Sequence, residues 1–504
     1  MVTIKAARCP ELDELAAHGL SAGSCCGLAV LKVGTSRMEL RVGLAGRRQM
    51  EVTVSEAEKA MALEVVDLVL QGREDDFLAL LSPRALAAIP AAEWRSCARF
   101  GRGSKAEEPQ VIGKMGVWVI VTARTKVKLW MSQKIKLLVF KVSVDPGTRQ
   151  MEGFTILDQI PEVQAVPSEV QLADAWHFGS CTKAVTATLA AVLLEQEPRL
   201  SWDLTVADAL AMAATASPSG HALAAVAAQS AFRDVTLEQL LTNRGGLWQE
   251  QDPQTWSYAW DLDREAHSTQ EQRRRYYTRV LALQAHEVGK YEYSNDGFGL
   301  AGLMLETVLQ ESWEELVRKH IFEPLGMTNS GFYAMGASAP RGAQRNFIWG
   351  TRPGGPGEPG TPMDPTEGPG ADNPAAIGPA GVIHGSLEDV ARFLAVHLDH
   401  RYAQEKLGLS QATLAKLHGA PDDYPYAYGW LIGGSGILTH DGSNTMNYMH
   451  LKMWKEDGIA VISTLNAGLA ASEMAQELGE KAKATQQEPF ATDDAIDRPE
   501  NWCC

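Results

Sequence analysis

The chain has no excess of basic charge. Lys and Arg number 46 against 62 Asp and Glu, a formal net charge of -16 over 504 residues. That balance excludes nucleic acid and anionic membrane surfaces as general partners, because phosphate binding needs a basic face. Nor is there an apolar run long enough to cross a bilayer, and the opening MVTIKAARCPELDELAAHGL lacks a charged start followed by an apolar h-region. A cytoplasmic protein without an integral membrane segment is expected. The seven cysteines are odd in number and have no metal-ligand spacing, so a reducing compartment is expected, with no disulfide framework and no metal or other cofactor. Adjacent Cys25 and Cys26 do not easily pair with each other. Cys503 and Cys504 could accept lipid but lack an upstream polybasic signal, so an unmodified flexible tail over 491–504 is expected. The basic patches are short, and EQRRRYY around Arg273 and RKH around Arg318 read as solvated helix faces.

What the chain does have is the stretch Trp176 to Gln196, WHFGSCTKAVTATLAAVLLEQ. Its strong helix formers follow a flexible Gly179, which predicts a helix with Ser180 in the first turn. Residues three apart share a helix face, so the Lys183 ammonium can reach the Ser180 hydroxyl and, once desolvated, take its proton. The plain alternative is a capping serine and a solvated lysine. Two further boxes bear on the choice. Tyr293-Ser294-Asn295 precedes an apolar helix near Phe298, on a turn that projects Tyr293 and Asn295 into a cleft. There a neighbouring lysine favours the ionised phenol, and Asn295 orients the lysine and holds a substrate amide. His440-Asp441-Gly442-Ser443 follows a predicted strand whose edge can pair with an extended substrate. Gly442 permits close backbone approach, and the Ser443 N–H can complete an oxyanion site with the Ser180 N–H. His177-Phe178-Gly179 has the same His-x-Gly form.

The length predicts two to three domains. Residues 27 to 46 read as a β-hairpin around Gly34-Thr35-Ser36. Helices near Glu56 to Gln71 and Leu78 to Trp94 come next, then three strand-like runs, VWVIVTARTKVKL, KIKLLVFKVSV and MEGFTIL. That segment reads as an inserted α+β unit, because the hairpin before it has no sheet partners until the strands predicted at 437–440, 448–454 and 459–465. The expected divisions are 1–54, sheet strands of the main domain; 55–160, the insertion; 161–490, the rest of the main domain; and the tail. The Gly/Pro-rich run from Gly350 to Gly381, with its Asp372-Asn373-Pro374 turn, is expected to be an ordered loop over the site.

The order Ser-x-x-Lys, Tyr-x-Asn, His-x-Gly, with flanks such as TLEQLLTNRGGL, YEYSNDGFGLAGLMLE and AIGPAGVIHGSLEDVARFL, resembles the penicillin-recognising serine hydrolases. In particular it resembles the class C β-lactamase-related group, which includes D-Ala-D-Ala carboxypeptidases and esterases. The resemblance covers 27–50 and about 165–468. It implies an α/β fold, a β-lactamase/transpeptidase-like αβα sandwich with an antiparallel sheet, flanking helices and a helical subdomain. Opening with VVDLVLQGREDDFLALLSP, the insertion resembles small NTF2-like domains.

The implied chemistry is acyl transfer on an ester, amide or peptide bond through a Ser180 acyl-enzyme. In it Lys183 and Tyr293 move the proton, and Asn295, His440, Gly442 and Ser443 bind a small-molecule or peptide substrate. The chain departs from the pattern at His440 and Asp441, where many β-lactamases have lysine and threonine. A part-time cation and a repelling carboxylate disfavour an anionic substrate, leaving uncharged esters, amides or lactones. Two alternatives remain: a strict β-lactamase or D-Ala-D-Ala carboxypeptidase, and a catalytically silent scaffold that associates through the insertion. Oligomeric state stays open, a homo-oligomer among the possibilities.

Overall fold

The computed structural model describes residues 4–485 apart from 22–24, 34–37, 47–53, 100–108, 116–117, 130–131, 146, 158–168, 216, 250–251, 265–266, 333–349, 353–360, 364–371 and 422. The hairpin turn at Gly34-Thr35-Ser36, much of the Gly/Pro-rich run, and the tail with Cys503 and Cys504 lie outside the described residues. The chain divides into two compact units, Met1–Gln49 with Glu169–Cys504, and Met50–Ser168.

The first unit is built on an eight-stranded sheet in the order Ile4–Arg8, Met38–Gly46, Cys25–Val33, Ile459–Leu465, Tyr448–Trp454, Ile437–Ser443, Trp430–Ile432 and Tyr426–Ala427. Only the first pairing is parallel. The N-terminal hairpin therefore joins the C-terminal strands, with Ala29 opposite Ile462 and Val30 opposite Val461. One hairpin strand, Met38–Gly46, pairs with Ile4–Arg8 close by in sequence, and the other, Cys25–Val33, finds its partner only at Ile459–Leu465. Strand Cys25–Val33 is apolar on both faces because both are covered. Leu28 packs with Ala475 and Leu478 of the helix Ser472–Ala484. Ala29 and Leu31 belong to the main core on the other face. The strand Ile4–Arg8 and the helix Pro10–His18 were not predicted.

That main core holds the helix Thr182–Gln196, whose residues Thr182 to Leu193 are all buried. A helix buried all round belongs in the middle of a domain, and its Thr186 and Thr188 hydroxyls donate to the Pro379 and Ala184 carbonyls. Around it stand Asn295–Leu309, Leu387–Leu398 and the helices between 206 and 280. One of these corrects the charge reading. Arg273 is fully buried and bonds Glu306 and Glu314, each at 2.6 Å. Gln272, Tyr276 and Tyr277 on the same helix are buried with it, so this basic run faces the core. Arg318 does lie outward, paired with Glu315.

In the second unit the segment predicted as one helix from Leu78 to Trp94 is three, Glu74–Ala79, Pro83–Ala88 and Ala91–Arg99. Pro83 starts the second at its first position, and Ile89, extended before Pro90, ends it. Four antiparallel strands follow in chain order, Gln110–Met115, Trp118–Leu129, Ser132–Asp145 and Gln150–Leu157. Its own core joins Val65, Val66, Val69 and Phe77 to Val121, Phe140 and Phe154.

Candidate active site

Ser180 sits in a single turn of 3-10 helix, Gly179–Cys181, that runs directly into Thr182–Gln196. It caps nothing. From Asp174 to Leu193 every residue but Ser180 is buried, so Ser180 is the one residue of this stretch that solvent or a substrate can reach.

Lys183, fully buried, places Nζ 3.1 Å from Ser180 Oγ, 2.7 Å from Asn295 Oδ1 and 2.9 Å from the Ala380 carbonyl. Loss of hydration brings its pKa down to about 7. In the neutral amine two N–H groups meet two oxygens that can only accept, Asn295 Oδ1 and Ala380 O. The lone pair is left for the Ser180 hydroxyl. Asn295 is free for this because Ser294 caps its helix, accepting from the Gly297 N–H. Asn295 is therefore the first residue of the helix, where the sequence reading had a turn.

Tyr293 lies beside this pair, its ring centroid 4.8 Å from Lys183 Nζ. The expectation that a nearby lysine favours the ionised phenol is reversed. Burial pushes the Tyr293 pKa up, and a hydrogen bond with Ser180 only partly opposes it. Tyr293 is a protonated phenol.

The third box arrives along the sheet. Strand Ile437–Ser443 pairs with Trp430–Ile432 only at Leu438 and Thr439, so among the described residues its edge from His440 to Ser443 has no strand neighbour on that side. This edge lies against the Ser180 turn. A Cβ on Gly442 would fall 1.9 Å from the Phe178 carbonyl oxygen, and one on Gly179 2.1 Å from Ser443 N. Glycine is required at both by contact, and Gly179 also has φ +50°.

His440 faces the site, 6.4 Å from Tyr293 between ring centroids. Its Nδ1 donates to the Asp441 carbonyl at 2.7 Å, so Nε2, 3.1 Å from the Tyr426 hydroxyl, accepts. Burial lowers its pKa to about 4, so it is uncharged at neutral pH rather than cationic part of the time. Strand alternation turns Asp441 the other way, where it meets His450 Nδ1 at 2.6 Å and Gln476 Nε2 at 3.1 Å. The anion repulsion expected of Asp441 is therefore spent on His450, away from the cleft. Ser443 Oγ donates to the Asn447 carbonyl at 2.7 Å, which holds the turn.

Sequence reasoning missed several parts of this arrangement. The Ala380 carbonyl has no side-chain signal. Tyr426 and Arg244 stood in YPYAYGW and TNRGGL without a partner to suggest a role. Arg244 bonds Asp423 at 2.6 Å and the carbonyls of Tyr424 and Tyr426, which fastens the turn before Tyr426. Cys181, beside the serine, is a buried thiol whose pKa burial raises well above its usual value, so it is inert. A separate cavity of about 360 Å³, lined by residues such as Val226, Ser230 and Leu283, contains none of these groups. Among the described residues no cluster of His, Cys, Asp or Glu has the makings of a metal site.

An antiparallel sheet between helical layers, with a Ser-x-x-Lys turn docked against the open end of strand Ile437–Ser443, defines the fold class of the penicillin-recognising proteins. The chain belongs to the Beta-lactamase family, whose profile matches residues 161–482. It is 28% identical over 217 residues to penicillin-binding protein 4 of Amycolatopsis lactamdurans, covering 40% of this chain and 54% of that one. It is 25% identical over 343 residues to the unguisins hydrolase ungD of Aspergillus violaceofuscus, covering 62% of this chain and 55% of that one. It thus spans about half the length of these curated relatives. The D-amino acid amidase of Ochrobactrum anthropi SV3 is similar in fold, with a TM-score of 0.52 at 15% identity over 95% of this chain and 99% of that one.

Proposed function

We propose that the protein is a serine hydrolase in which Ser180 attacks an ester or amide carbonyl and carries the acyl group before water releases it. The observation that carries this is the buried Lys183 Nζ 3.1 Å from Ser180 Oγ, held there by the acceptor-only Asn295 Oδ1 and Ala380 carbonyl, so that the neutral amine has its lone pair left for the Ser180 hydroxyl. Lys183 takes the hydroxyl proton as Ser180 attacks. Tyr293, protonated and bonded to Ser180, passes a proton to the leaving group and regains one from Lys183. The Ser180 and Ser443 N–H groups stabilise the oxyanion. Relatives named a penicillin-binding protein and an unguisins hydrolase support the reaction class.

The substrate reading follows from charge. His440 is neutral, Arg244 is committed to Asp423, and Lys183 gives up its proton near neutral pH. These groups offer no fixed positive charge to a carboxylate, so uncharged esters, amides or lactones are the substrate class. The second unit is taken to be an NTF2-like insertion, with helices followed by a four-stranded meander.

Intact mass after exposure to a fluorophosphonate tests the nucleophile. One adduct is expected on the wild type and none on folded Ser180→Ala; a wild type left unlabelled favours the scaffold alternative. Turnover of a neutral ester panel is expected to exceed that of a chromogenic cephalosporin by about 10- to 100-fold in kcat/KM, the worth of one missing charged hydrogen bond.

A further inference from the structure

Two buried residues that the mechanism above does not use hold the Ser180 turn from behind. His177 Nδ1 accepts the Gly179 N–H at 2.9 Å, so the ring proton is on Nε2, which donates to Asp372 Oδ2 at 2.8 Å. The other oxygen of Asp372 accepts the Asn373 N–H at 2.7 Å and Asn444 Nδ2 at 3.3 Å. The Asn444 amide is oriented by its own oxygen, which accepts the N–H groups of Met446 and Asn447. Asn444 directly follows Ser443. Asn373 Nδ2 in turn donates to the Gly381 carbonyl at 2.8 Å, one residue beyond the carbonyl that Lys183 uses. One buried carboxylate therefore joins the serine turn, the end of strand Ile437–Ser443 and the segment that supplies an acceptor to Lys183.

We infer that His177 and Asp372 are positioning residues that fix the separation of the Ser180 and Ser443 N–H groups. The inference rests on the hydrolase reading. The contact they hold is close, since no side chain fits between Gly179 and Ser443 N. Without the clamp, Gly179 loses a partner for its N–H and the turn is free to slide along the strand edge. A displacement of the order of 1 Å at an oxyanion site costs up to about 100-fold in rate while leaving substrate affinity in place.

The test compares ester hydrolysis by wild type, His177→Ala, His177→Gln, Asp372→Asn and Ser180→Ala, each shown to have a cooperative thermal transition. His177→Ala and Asp372→Asn are expected to lose about 10- to 100-fold in kcat with KM changed by less than about twofold. In Asp372→Asn an amide N–H₂ faces groups that only donate. His177→Gln keeps one acceptor and one donor and is expected to recover to within about threefold of wild type. In ¹⁵N-histidine NMR spectra of the wild type, His177 is expected to carry its proton on Nε2. Unchanged kcat in Asp372→Asn, a loss confined to KM, or His177→Gln no better than a folded His177→Ala overturns the inference. If His177→Ala does not fold, His177→Gln and Asp372→Asn decide. Wild-type activity no higher than that of Ser180→Ala would instead defeat the hydrolase reading itself.

Discussion

Lys183 has given up its hydration for three hydrogen bonds, which suits it to the role of base near neutral pH that is proposed for it. Its pKa, about 7, lies below that of a free lysine, so the amine is neutral above about pH 7 and protonated below. With a neutral ester, kcat/KM is expected to fall about tenfold per pH unit below that point and to level off above it. A pH series from 5 to 9 checks this; a limb that rises only near pH 10 would mean that Lys183 is hydrated and is not the base. Because burial raises the Tyr293 pKa, no alkaline limb from the phenol is expected in that range. His440 also titrates below it, so its charge does not shape the profile. The direction of each shift follows from burial and could not be read from Ser-x-x-Lys or Tyr-x-Asn spacing.

Among the elements, the helix Thr269–Val280 shows best how a charged run becomes core. Arg273 pairs with Glu306 on Asn295–Leu309 and with Glu314 on Trp313–Val317, and also donates to the Ala375 carbonyl. It ties three helical segments to the stretch that leads to Ala380. Burial raises the Glu306 pKa despite its partner, a sign of how costly these charges are to hold away from water. Removing the guanidinium leaves two carboxylates without their cation, so Arg273→Met is expected to lose about 3–5 kcal/mol of stability. Urea unfolding measures this, with Arg318→Met, at an exposed pair, expected to change stability by less than about 1 kcal/mol. The sequence reading took EQRRRYY for a solvated helix face; Arg274 and Arg275 are indeed intermediate in exposure, and nothing in EQRRRYY marks Arg273 as the one turned inward.

At the scale of the whole molecule, the chain leaves the first unit after Gln49 and returns at Glu169. The return is beside the departure, since the Val170 N–H donates to the Gly46 carbonyl at 3.2 Å. The site groups Ser180, Lys183, Tyr293, Asn295 and His440 all belong to the first unit, and each unit has a core of its own. Replacing residues 50–168 with a short Gly/Ser linker is therefore expected to leave a chain with one cooperative thermal transition that still takes a fluorophosphonate at Ser180. A folded product that no longer labels would place part of the second unit in the site. Among the described residues no helix is long and apolar enough to cross a membrane.

The amino-acid sequence determined where the main helices and the hairpin form, and it set Ser180 and Lys183 one helical turn apart, because those properties depend on local periodicity and spacing. It also carried, through its ordered motifs and their flanks, the family to which the chain belongs. Only the tertiary structure set the direction in which the pKa values of Lys183, Tyr293 and His440 move, since desolvation comes from segments distant in sequence. It alone turned Asp441 to His450 and Arg273 into the core, because each depends on which face of an element meets a neighbour. It also brought Ala380 to Lys183 and Asp372 to His177 across separations of 197 and 195 residues, contacts that no local pattern in the chain records.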